Sequence, residues 1–210
     1  MQGVNILYLM LGWLLGIFSP LIVDEVKRHC QKKEFKKGLS IELEGVGYLL
    51  SGAVYLLCSR FGTYNRDLLN WMFKVYAQYN DQKMLRRIET LLKSSDEEID
   101  AYAKHMAQQK DVVALNLKKY SLPFLESNMG SLSLLDMKLQ RLVIQIRARL
   151  YSVNEEIDLN RFYYEKTFDS TLSENNSEII KNNLNQSYQN ISRQYRMIVD
   201  QITYLTDKFS

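Results

Sequence analysis

Few residues in this chain of 210 have the types and spacing that chemistry requires. His29 and Cys30 are metal-ligand types. However, consecutive residues on a helix point about 100° apart, and no further His or Cys lies three or four positions from either. His105 lies off the apolar stripe of its segment and reads as a solvent-facing histidine. Glu155, Glu156 and Asp158 sit together, but neighbouring carboxylates of this kind form a solvated helix face rather than an acid–base pair. Arg147, Arg149 and Arg161 suit pairing with acidic neighbours or with a partner equally well. No glycine-rich loop cradles a phosphate, and no serine occupies a nucleophile elbow. The sequence therefore predicts no enzyme, no cofactor and no metal site.

Composition points elsewhere. Net charge is +3, too balanced for an electrostatic nucleic-acid binder, so no direct sequence-specific nucleic-acid contact is expected. Two cysteines, Cys30 and Cys58, cannot build a disulfide framework and fit a reducing compartment. Eight of the nine glycines lie at or before Gly62, and the only prolines are Pro20 and Pro123. Nothing after Ser131 forces a tight turn, so that stretch reads as helix.

Val4 to Val23 is a run of twenty residues without an ionisable side chain. At about 1.5 Å per residue it matches a hydrocarbon core about 30 Å thick. A signal peptide carries basic residues ahead of its apolar region and a small-residue cleavage site behind it, and both are missing here. Residues 1–23 are therefore read as a transmembrane anchor. Lys27, Arg28, Lys32, Lys33, Lys36 and Lys37 crowd its C-terminal flank, while its N-terminal flank has no Lys or Arg. The positive-inside rule places the N-terminus outside and the body in the cytoplasm. The same six side chains either rest on anionic headgroups or only enforce topology. Gly12 and Gly16 form a Gly-x-x-x-Gly pair, the pattern that lets two membrane helices pack closely. It reads either as a homo-oligomer contact through the anchor or as an incidental pair.

A second uncharged stretch, Gly45 to Cys58, is fourteen residues long, too short for a comfortable span. Within 24–62 it is read as an interfacial or re-entrant segment following a basic juxtamembrane helix, with a second span as the alternative. Residues 63–130 form a helical subdomain. Leu68, Leu69, Met72, Phe73, Val75 and Tyr76 give one helical stripe, and Ser94 or Ser95 caps a helix with Glu97 or Glu98. Around Pro123 an extended connector is expected, with Leu122, Phe124 and Leu125 packed down. Residues 131–210 carry two long stripes. The first runs through Leu135, Leu139, Leu142, Ile146, Leu150, Val153 and Ile157. The second includes Leu184, Tyr188, Ile191, Tyr195, Ile198 and Ile202, with steps near a heptad repeat. Ser173 or Asp169 caps the second helix. The reading is a long antiparallel hairpin, and a seam for a partner chain is the competing use of the same residues. The expected fold class is all-α: an N-terminal transmembrane helix, then a cytosolic helical bundle ending in that hairpin.

The order of features carries a resemblance. "SPLIVDEVKRHCQKKEFKKGLSIELEG" leads through "GTYNRDLLNWM" and "LKKYSLPFLESNMGSL" to "NEEIDLNRFYYEKTFD". This layout resembles small bacterial membrane-anchored helical proteins, including the transmembrane effector encoded beside the reverse transcriptase of certain retrons. The resemblance implies anti-phage defence at the bacterial inner membrane and two membrane segments. It also implies a toxic effector restrained by a protein partner, such as a reverse-transcriptase ribonucleoprotein, until infection releases it. A passive membrane tether that recruits a cytosolic partner uses the same features and stays open beside it.

Overall fold

The computed structural model describes residues 2–108, 117–169, 171 and 173–209, with side chains from position 10 onward except 11, 14, 15 and 17. Among the described residues every regular element is helical. α1 spans Gln2–Phe61, sixty residues without a break. Pro20 lies inside it and withholds one N–H from the ladder, which membrane helices accommodate. Then follow α2 (Arg66–Gln78), α3 (Gln82–Leu92), α4 (Asp96–Gln108), the short α5 (Pro123–Ser127), a 3-10 turn at Met129–Leu134, α6 (Met137–Lys166) and α7 (Glu174–Asp207).

Side-chain caps start most of these helices. Asn65 Oδ1 accepts the Leu68 N–H at 2.8 Å, and Asp136 Oδ1 accepts those of Lys138 and Leu139. Ser95 and Glu98 form the reciprocal capping box of α4: the Ser95 N–H donates to Glu98 Oε2, and the Glu98 N–H to Ser95 Oγ. Ser173, not Asp169, caps α7.

The core is a seam between α1, α6 and α7. Phe35, Leu39, Leu43, Val46, Leu50, Val54 and Leu57 recur at steps of four, four and three along α1, and all are buried. They face Tyr188, Ile191, Tyr195, Ile198, Ile202 and Leu205 of α7, which also packs on Val143, Ile146, Leu150, Val153 and Ile157 of α6. Arg149 reaches Gln194 at 3.2 Å, and the Asn160 amide reaches the Leu184 carbonyl, so the α6–α7 contacts run in opposite senses along the chain. On α2 Trp71 is buried beside Tyr76 of the expected stripe, while Phe73 of that stripe faces out. Trp71 Nε1 donates to Asp200 Oδ1 at 2.6 Å. Arg196 crosses the same indole at 5.3 Å and pairs with Asp67 at 3.0 Å, tying α2 to α7.

Two expectations are corrected. Gly45 to Cys58 does not follow a re-entrant path. It is the distal part of α1, and Val46, Leu50, Val54, Leu57 and Cys58 belong to the bundle core. A re-entrant path needs a break in the helix after the anchor, and none occurs. One face of the stretch is core, while Tyr48, Leu49 and Leu56 on its other sides are exposed. The connector, too, is only partly extended. Residues 117–122 have no regular structure, but Pro123 then opens α5 at a position where no intrahelical N–H is required. Leu122 and Leu125 are buried as expected, and Phe124 stacks on Phe35 with ring centroids 6.0 Å apart.

Candidate membrane-anchoring helix

α1 has two environments along its length. Every described residue from Met10 to Gln31 is exposed, and burial begins at Lys32. Met10, Trp13, Phe18, Leu21, Ile22 and Val23 are all large, apolar and uncovered, with Trp13 66% exposed. A contiguous apolar surface of this size has no counterpart on an ordinary water-facing helix. α1 is long and apolar enough to cross a membrane by length and composition. Among the described residues the stretch that meets that description lies within Phe18–Phe61, and half of its apolar window is buried in the bundle. Burial separates the two parts of the helix where composition does not.

Because α1 is continuous, it acts as a ruler for the basic cluster. With the hydrocarbon boundary at Val23, Lys27 and Arg28 stand about 6–8 Å beyond it, within the headgroup layer. Lys32 and Lys33 lie about 14–15 Å out, near the reach of side chains that lean back toward the helix N-terminus. Lys36 and Lys37 lie about 20 Å out, beyond direct headgroup contact. Lys36 instead places its Nζ 5.3 Å over the Phe209 ring, inside a recess lined by Lys33, Lys37, Ser40, Ile41 and Glu44. The six basic residues thus divide along α1 into those on its exposed part, Lys27 and Arg28, and those beside the body, from Lys32 onward.

Gly12 and Gly16 are open: a Cβ built on either meets nothing within 4 Å. They leave a notch on the exposed part of α1 that no described segment of the chain fills. The seam residues Leu184, Tyr188, Ile191, Tyr195, Ile198 and Ile202 are placed differently. All but the half-buried Leu184 are fully covered by α1 and α6, so the chain consumes this seam itself. A partner has other apolar surface to use. Met137, Ile144, Tyr151 and Phe162 lie along the outer side of α6 and are exposed, Met137 and Tyr151 at 67% each.

The junction of anchor and body holds a constellation that the sequence did not advertise. Glu42 on α1 accepts the N–H groups of Phe124 at 2.6 Å and Leu125 at 3.0 Å, capping the start of α5 with a carboxylate. Gly38 lies under the Phe124 ring, where a Cβ would overlap it. Asn154 closes the other side of the connector, accepting the Tyr120 N–H and donating to its carbonyl. The one available signal was a glycine and a glutamate one turn apart in a segment otherwise read as a basic juxtamembrane helix.

Electrostatics around the body follow burial. Burial pushes the Tyr76 and Tyr79 hydroxyls up to about 12, and it also raises Tyr64 and Tyr195. The Met84 N–H holds the Asp81 carboxyl below its usual range, and Asp81 in turn raises Tyr48, which donates to it at 2.9 Å. Arg161 pairs with Asp158 and donates to the Leu117 carbonyl, which joins the Glu155–Asp158 cluster to the connector as structure. His29 and Cys30 are exposed. Among the described residues, no group of three or more His, Cys, Asp or Glu side chains is placed to hold a metal ion. No protein family, curated protein or solved structure matches this chain.

Proposed function

We propose that this protein is a membrane-anchored, non-enzymatic effector of the bacterial inner membrane, of the retron-associated anti-phage type that its layout resembles. The carrying observation is the single helix α1, bare and apolar from Met10 to Val23 and a core element of the body from Phe35 onward. A helix shared by bilayer and core transmits displacement between them without a hinge. A cytosolic partner, such as a reverse-transcriptase ribonucleoprotein, grips the body and holds the spans apart. Release lets them assemble through Gly12 and Gly16 and compromises the membrane. The basic side chains at Lys27 and Arg28 hold the N-terminus outside and the body, with α6 and α7 as an antiparallel hairpin, in the cytoplasm.

The deciding experiment is expression of the chain alone from a tight inducible promoter, with membrane potential followed by a voltage-sensitive dye. Depolarisation that is lost in Gly12→Leu with Gly16→Leu at equal membrane abundance supports the effector. Unchanged potential in both removes autonomous toxicity. A second reading, a passive tether, draws on the exposed side of α6, where Met137, Ile144, Tyr151 and Phe162 offer a docking stripe that needs no membrane assembly. Loss of partner recruitment, with no change in membrane potential, on Ile144→Asp with Tyr151→Asp would favour it.

A further inference from the structure

Between the connector and the outer side of α6 lies a cleft of about 430 Å³ that uses no residue of α1. Ile144, Arg147, Ala148 and Tyr151 line it from α6, at the spacing of three and four that puts side chains on one helix face. Tyr120, Ser121 and Glu126 line it from the connector and α5, and the buried Leu122 and Leu150 form its floor. The connector wall is held in place. Asn154 accepts the Tyr120 N–H and donates to its carbonyl, and the Tyr120 ring lies against Tyr195 with centroids 6.4 Å apart. The charges in the cleft are not used by the fold. Of the three arginines that suited either acidic neighbours or a partner, Arg149 donates to Gln194 and Arg161 pairs with Asp158. Arg147 makes no ion pair or hydrogen bond through its side chain among the described residues, and neither does Glu126. Both line the same cleft, yet they do not bridge each other.

We propose that this cleft binds a small aromatic ligand carrying both an anionic group and an amino donor, the chemistry shared by mononucleotides and aromatic amino acids. Small-molecule sites run from roughly 300 to 1,000 Å³ and combine apolar walls with a few convergent polar groups. The cleft lies toward the lower end of that range, which suits one ring system with one charged group. A flat ring entering between Tyr120 and Tyr151 covers Ile144, which is 50% exposed, and Tyr151, which is 67% exposed. The Arg147 guanidinium presents a planar fork of donors that matches a phosphate or carboxylate with two parallel bonds. The Ser121 hydroxyl supplies a further donor beside it. Glu126 asks for a donor in return. An amino group on the ligand answers it, whereas a ligand with negative charge alone meets repulsion from the same carboxylate. The site stands on the cleft and is independent of whether α1 enters a bilayer.

The test is equilibrium dialysis of the full chain in detergent micelles against radiolabelled adenosine monophosphate and tryptophan. Each is paired with the same molecule lacking its anion, adenosine and tryptamine. The expected result is saturable binding of one of the two anionic probes at one site per chain, with a Kd below about 1 mM. Arg147→Gln should weaken that binding roughly tenfold or more, to the level of the probe without its anion, with helical circular dichroism unchanged. Arg141→Gln removes the same charge from the exposed side of α6 outside the cleft and should leave binding unaltered. Preference for adenosine monophosphate identifies phosphate as the anion and preference for tryptophan identifies carboxylate, and either upholds the site. Equal weakening by Arg141→Gln and Arg147→Gln would mean diffuse charge attraction and overturn it. Equal affinity with and without the anion would remove Arg147 from the site and overturn it as well. Absence of binding by both probes up to about 1 mM would overturn the ligand class. None of these outcomes bears on the anchor, which membrane fractionation of the same chain reports separately.

Discussion

Glu42 of α1 holds Phe124 of α5 by its backbone N–H at 2.6 Å, across eighty-two positions of sequence. The same carboxylate takes the Leu125 N–H, and the Phe124 ring lies over Gly38 one turn earlier on α1. The connector is thereby fastened to α1 a few turns past its exposed apolar segment. Glu42→Ala leaves two N–H groups at a partly buried helix start without their acceptor. The expected loss is roughly 2–3 kcal/mol in denaturant unfolding of the detergent-solubilised chain, and Glu42→Gln should retain about half of the lost stability. A loss below about 0.5 kcal/mol for Glu42→Ala would show that water replaces the carboxylate freely.

Gly38 and Gly45 sit two turns apart on one helix and should respond oppositely to the same change. Gly38→Ala drives a methyl group into the Phe124 ring, and overpacking of this kind costs roughly 1–3 kcal/mol. Gly45→Ala meets open space and relieves the backbone entropy of a helical glycine, a gain of roughly 0.5–1 kcal/mol. Thermal midpoints of the two variants, measured side by side, decide the matter. Equal shifts would mean that the connector is not seated on Gly38.

The chain's two tryptophans report on the two environments of α1 and the body. Trp13 is uncovered, whereas Trp71 is buried and bonded to Asp200. In vesicles containing brominated acyl chains, a Trp71→Phe variant, which retains Trp13, should lose most of its emission. A Trp13→Phe variant should keep its emission nearly unchanged. Equal quenching of both would place the body in lipid and contradict the division of α1 at Lys32.

High pH should unfold the body. Tyr76 and Tyr79 hold their protons to about pH 12 in the folded chain because burial penalises the charged form, while in the unfolded chain they titrate near the ordinary value of 10.0. The folded state therefore binds more protons between these values. Its stability is intact below about pH 10 and falls as pH rises toward 12. Tyrosinate absorbance and helical circular dichroism should change together in that window, and Tyr79→Phe should make the helix loss less steep. A complete tyrosine titration near pH 10 with the helix signal intact would refute the burial.

Much of the architecture was legible in local pattern. The caps of α4 and α7 and the apolar stripes of α6 and α7 depend on residues within a turn or two of one another, so spacing narrowed each cap to neighbouring candidates, from which the structure takes Ser95 with Glu98 and Ser173. Trp71 and Asn160 escaped because each is buried for a distant reason. The indole is held by Asp200 and Arg196, and the amide by the Leu184 carbonyl. Glu42 escaped for the same reason, since its structural part is to start a helix far along the chain.

The sequence by itself determined that the chain is helical, that its first twenty-odd residues are apolar on every side, and that positive charge follows them. Those are properties of composition and short-range spacing, and a helix or a membrane preference follows from them without any partner segment. Only the tertiary structure decided that the two apolar stretches are one helix with different surroundings. Between Val23 and Phe35 that helix passes from bare to buried, a change made by packing against α7, which lies more than a hundred residues away. Apolar side chains carry the same signal whether they meet lipid or core, because both remove them from water. The choice between them belongs to the rest of the chain.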